Sequence, residues 1–134
     1  MYLAMLNERQ KQLFLGLAYY LTSIDGDYSI EEKRMIDSYC YEMQMDFNME
    51  IVNRPIVEII KEMQMVCGER EKKIIIFEVI GLAMSDCNYD EDERRFVCSI
   101  IEKFDIEKSF GQQCETILNE YIEFQNKINK ILIG

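Results

Sequence analysis

The chain has 134 residues, 49% of them hydrophobic and 30% charged, with six glycines and one proline; one globular domain over residues 1–134 is expected, without a linker or disordered tract. A formal charge of −10 disfavours nucleic acid and anionic lipid surfaces as partners, and favours a cation or a basic protein surface. There is no histidine, and the five cysteines (Cys40, Cys67, Cys87, Cys98 and Cys114) form no C-x-x-C pair, which argues against zinc sites and disulfide frameworks and for reduced thiols in a cytoplasmic protein.

"MYLAML" is followed at once by "NERQK" and so lacks the pattern of a signal peptide. Leu3, Leu6, Leu13, Phe14, Leu17, Ala18 and Leu21 recur at helical spacing and predict one long first helix. "DGDYS" stops it, with Gly26 free to turn left-handed. Ser29 with Glu32 three residues on has the spacing of a capping box, and Met35, Ile36, Tyr39 and Met43 mark the inner face of the helix that follows.

The pattern breaks at "MDFNME". Pro55 is expected in the first turn of a third helix with Ile56, Ile59, Ile60 and Met63 as its stripe, ended by Gly68. From Ile74 to Met84 the chain is apolar almost all round, as in a central helix, and Gly81 there predicts close approach of a neighbour. These apolar runs are too short and interrupted to span a bilayer. Asp90 with Glu93 supplies a second capping box, and a final helix over residues 112–133 carries Cys114, Ile117, Leu118, Tyr121, Ile122, Phe124, Ile128, Ile131 and Leu132. The β-branched "III" run has no partner strand, so the expected fold is all-α: a compact bundle of six or seven helices. The nine methionines follow helical spacing or alternate, and read as core filling.

One passage occurs twice. Asp25–Ser38 and Asp86–Ser99 agree at five of fourteen positions: Asp25/Asp86, Tyr28/Tyr89, Glu32/Glu93, Arg34/Arg95 and Ser38/Ser99. The likeness extends to pseudo-repeats over roughly residues 10–50 and 70–110, two helical hairpins with the same turn. "MDFNMEI" and "FDIEKSF" are aligned on Asp46 and Asp105, 59 residues apart instead of 61, which implies a two-residue length change.

Two chemistries suit the repeated turns. Hard cations such as Ca²⁺, Mg²⁺ or Mn²⁺ want several oxygen ligands; Asp25 and Glu32 from one turn and Asp86 and Glu93 from the other would supply them, with Asp27 and Asn88 as further donors. The seven-residue interval from Asp to Glu is too short for an EF-hand loop. Alternatively the acids only cap helices, each box contributing about 1 kcal/mol. The repeated tyrosines read as packing lids and the repeated arginines as partners of nearby acids.

"IDGDYSIEEKRMI" and "IIIFEVIGLAMSDCNYDEDERRFVCSIIEKFDI" together resemble the two halves of the TerB-like (tellurite-resistance) domains, over about Phe14 to Phe110. The resemblance implies a bacterial or phage cytoplasmic, all-helical stress-response module. It also implies a divalent metal held by the acidic loops, at Asp25, Glu32, Asp86 and Glu93. The sequence departs from the pattern where Cys87 replaces the glycine matched by Gly26, and Asn88 is then expected to take the left-handed conformation.

The functional expectation is a non-enzymatic module that binds a divalent cation and docks on protein partners. The alternative is a metal-free interaction module or homodimer that uses the apolar terminal helix. No Gly-rich phosphate loop or nucleophile–base pairing points to an enzyme.

Overall fold

A computed structural model describes residues 1–24, 29–85 and 89–134. Its order is an opening 3₁₀ turn (Leu3–Met5), then α1 (Glu8–Ser23), α2 (Ile30–Met43), α3 (Met49–Val52), α4 (Ile56–Val66), α5 (Glu69–Ala83), α6 (Glu91–Lys103) and α7 (Ser109–Ile133). Among the described residues there is no strand, so the all-α expectation is met.

The first helix is shorter than its apolar pattern suggests. Asn7 is extended and forms a capping box, its side chain accepting from Gln10 N while its own N–H donates to Gln10 Oε1, both at 2.9 Å. Leu3 and Leu6 therefore belong to the preceding turn and still reach the core. A capping residue overrides apolar spacing because it satisfies donors that a longer helix would have used internally. Gln10 is itself buried, and its Nε2 donates to Val66 O at 2.8 Å, tying the start of α1 to the end of α4.

Helix α1 packs against α2, α3, α4 and α5, and α5 packs against α1, α2, α6 and α7, so these two helices form the centre. Phe14, Leu17, Leu21, Ile36, Met43, Met63, Ile75 and Ile80 are among the fully buried side chains. Met65, by contrast, is exposed, so core filling does not describe every methionine. The ring of Phe14 meets Tyr39 edge-on at 5.2 Å, and the Tyr39 hydroxyl donates to Glu78 O at 3.0 Å, joining α2 to α5.

Three glycine and proline expectations are revised. Gly68 precedes α5, where its N–H donates to Glu71 Oε1 at 2.9 Å, while Cys67 ends α4. Pro55 stands immediately before α4 instead of within its first turn. The close helix approach is at Gly16, not Gly81. A Cβ at Gly16 would meet Ile59 Cδ1 at 2.9 Å, whereas one at Gly81 would meet Leu118 Cδ2 at an ordinary 3.9 Å.

The internal repeat also changes its register. Gln44 and Asp105 are both left-handed, with φ of 55° and 56°. Each helix end has the same pair of bonds: Gln44 N to Tyr41 O (3.1 Å) with Met45 N to Cys40 O (3.0 Å), and Asp105 N to Glu102 O (3.0 Å) with Ile106 N to Ile101 O (3.1 Å). These ends are 61 residues apart, the same interval as Ser29 and Asp90, so pairing Asp46 with Asp105 and inserting a length change is incorrect. The same interval relates Glu8 to Glu69 at the starts of α1 and α5, where "ERQK" and "EREK" agree at three of four positions.

Candidate functional site

Of the proposed cation ligands, Asp25, Asp27, Asp86 and Asn88 lie outside the described residues, as do Gly26, Tyr28 and Cys87. Glu32 and Glu93 are described. Glu32 is 2% and Glu93 3% exposed, and each completes the expected box. Glu32 N donates to Ser29 Oγ and Ser29 N to Glu32 Oε1, both at 3.1 Å. In the second copy Glu93 N donates to Asp90 Oδ1 at 2.8 Å and Asp90 N to Glu93 Oε1 at 3.2 Å. The capping function is thus present twice, with deeply buried carboxylates held at helix N-termini where the dipole favours negative charge. Among the described residues no group of three or more cysteines, aspartates and glutamates is placed to hold a metal ion.

Tyr89 is half-buried, with the Arg94 guanidinium 4.3 Å from its ring centre, and burial pushes its hydroxyl pKa up. This agrees with a packing lid. Arg95 pairs with Glu91 at 3.6 Å and Asp92 at 3.8 Å, as expected of an exposed helical arginine.

A second acidic arrangement was not singled out from sequence. Glu78, in the middle of apolar α5, is 5% exposed; its Oε1 accepts from the Met1 ammonium and from Tyr2 N, both at 2.9 Å. Glu42 joins it from α2, accepting from the Met1 ammonium at 3.0 Å and from Leu3 N at 2.9 Å. The two carboxylates raise the pKa of that ammonium against the lowering effect of burial. They edge a groove of about 460 Å³ between α2, α5 and α7 that also includes Met35, Phe77 and Tyr121. The sequence signal was a lone glutamate inside "IIIFEVIGLAM".

The thiols divide by burial. Cys40, Cys67 and Cys114 are buried and Cys98 is exposed. Burial raises the pKa of all three inner thiols, to about 11 for Cys67 and Cys114, which suppresses the reactive thiolate.

Helix α7 is mostly uncovered. Only Cys114 and Leu118 of its 25 residues are buried, and every residue from 119 to 134 is exposed. Ile117, Tyr121, Phe124, Ile128 and Ile131 follow one another at steps of four, three, four and three, and Phe124 and Ile131 are 61% and 83% exposed. A helix of this length reaches about 37 Å, so its second half extends beyond the helices that bury its first. Sequence periodicity located this stripe; only packing reveals that no part of the described chain covers its distal half.

No helix among the described residues is long and apolar enough to cross a membrane, α7 included. Compared with known proteins, the chain matches no family model, and no curated protein or solved structure is significantly similar to it.

Proposed function

We propose that this protein is a non-enzymatic, cytoplasmic helical module of the TerB-like kind that acts by docking on protein through the outer half of α7. The observation that carries the reading is the apolar stripe from Ile117 to Ile131, held on an ordered helix and left in water. Five large apolar side chains in one line, flanked by charged residues, have the composition of a binding face. Exposing them is unfavourable to an isolated chain and becomes favourable once a partner removes them from water.

The test is photo-crosslinking in the native host, with a light-activated phenylalanine analogue placed at Phe124. The expected result is one discrete protein adduct, lost when Ile128→Glu and Ile131→Glu are introduced. Diffuse or absent labelling, with the helix content of the protein unchanged, overturns the reading.

A second activity, divalent cation binding at the two acidic segments, is supported by one observation: Glu32 and Glu93 are buried carboxylates at equivalent positions, each preceded in the sequence by further oxygen donors. The cation would be Ca²⁺, Mg²⁺ or Mn²⁺. Calorimetry should show binding at millimolar metal together with a higher melting temperature, both abolished by Asp25→Asn with Asp86→Asn. Absence of heat and of any melting shift in the unmodified protein removes the cation from the proposal.

A further inference from the structure

The stripe on α7 is complementary to itself. Read backwards, the order Ile117, Tyr121, Phe124, Ile128 gives the same steps, so an antiparallel copy faces Ile117 with Ile128 and Tyr121 with Phe124, each pair occurring twice. The alternating four- and three-residue steps are those of a two-helix seam. In this register Glu120, on one flank of the stripe, comes alongside Lys127 of the second copy with a stagger of two residues, and Lys127 alongside Glu120. Among the described residues neither of these two has an ion partner within its own chain.

Charge chooses the direction. The half of α7 nearer the bundle carries Glu115 and Glu120, and the outer half, after Glu123 near the middle, carries Lys127 and Lys130. A parallel pair in register would set acid against acid and base against base. The antiparallel pair sets acid against base and also opposes the two helix dipoles.

We propose that the partner of α7 is a second copy of this chain, paired antiparallel about a local twofold between residues 122 and 123. This rests on the reading of α7 as a docking face and names its occupant. Two sets of Ile117, Tyr121, Phe124, Ile128 and Ile131, at on the order of 100 Å² each, reach about 1,000 Å², the size a specific interface requires. The bundle adds to this. Beside Ile117 an apolar groove of about 400 Å³ runs between α5 and α7, lined by Tyr2, Ile74, Phe77 and Phe110. The antiparallel pairing brings the second copy's Ile131 and Leu132 towards that groove.

Sedimentation velocity of the full chain tests the proposal, with helix content by circular dichroism as the control for folding. The unmodified protein is expected to be a dimer at micromolar concentration. Lys127→Glu creates two like-charge contacts and should weaken the dimer on the order of tenfold or more, as should Glu120→Lys. Combining Glu120→Lys with Lys127→Glu restores the opposed charges and should restore the dimer. A monomeric unmodified protein overturns the proposal. So does a dimer indifferent to Lys127→Glu, or single-variant losses that the double variant does not repair. A monomer that still gives a discrete crosslink to a different protein at Phe124 leaves the docking face standing and removes only the second copy.

Discussion

Gln44 and Asp105 adopt the same left-handed backbone conformation, φ 55° and 56°, at the ends of two helices 61 residues apart. Neither is glycine, so each pays the steric cost of a Cβ in that region, about 1 kcal/mol. Gln44→Gly and Asp105→Gly are each expected to raise stability by about 0.5–1 kcal/mol, read as a higher midpoint in urea at unchanged slope. A loss of stability in both would mean that side-chain contacts outweigh backbone strain there.

Gly16 and Gly81 should respond oppositely to alanine. At Gly16 the new methyl meets Ile59 Cδ1 at 2.9 Å inside the α1–α4 contact, and Gly16→Ala is expected to cost about 1–2 kcal/mol despite its better helix propensity. Ile59→Val removes the obstructing atom, so the double variant should be more stable than the two separate effects add up to. Gly81→Ala meets nothing closer than 3.9 Å and should gain about 0.5–1 kcal/mol. Thermal melts of the four variants decide the matter.

The link from Arg9 to Glu62 is pH-sensitive in a defined direction. Arg9 donates to both oxygens of Glu62, with Nη2 to Oε1 at 2.7 Å, and Arg54 adds a bond at 3.1 Å. The Arg9 bond is the leading cause of a Glu62 pKa below its ordinary 4.5. A carboxylate whose folded pKa is depressed stabilises the fold above the unfolded value, and the contribution fades as pH falls through the folded one. Glu62→Gln should therefore cost about 0.5–1 kcal/mol at pH 7, and progressively less below pH 4.5. A penalty that persists at pH 2 would assign the effect to packing instead of charge.

Thiol reactivity should follow burial. In a Cys87→Ser background, one equivalent of a thiol reagent is expected to react quickly at pH 8, at Cys98, with Cys40, Cys67 and Cys114 protected until the protein unfolds. Rapid reaction of more than one thiol would mean that burial does not protect the three inner cysteines.

Legibility in the sequence tracked the range of the interaction. The boxes at Ser29–Glu32 and Asp90–Glu93 were readable because their partners lie three residues apart. The box at Asn7 was overlooked because the apolar spacing runs straight across it. Gly16 and Gly81 are indistinguishable as letters in a helical pattern, and only the position of Ile59, forty-three residues on in the chain, separates them. The correct 61-residue register was hidden because the match at Asp46 and Asp105 is one of composition, whereas equivalence is set by backbone angles that Gln44 and Asp105 share without sharing a side chain.

The sequence by itself determined that the chain is all-helical, where α2 and α6 start, and which faces are apolar. These follow from hydrogen bonds and side-chain spacing within a turn or two of the chain. Tertiary structure alone decided which apolar faces are used up in the core and which is left over, because burial depends on what lies opposite. Inner residues of α7 such as Leu118 meet the bundle, while Phe124, Ile128 and Ile131, written in the same alphabet, are left exposed.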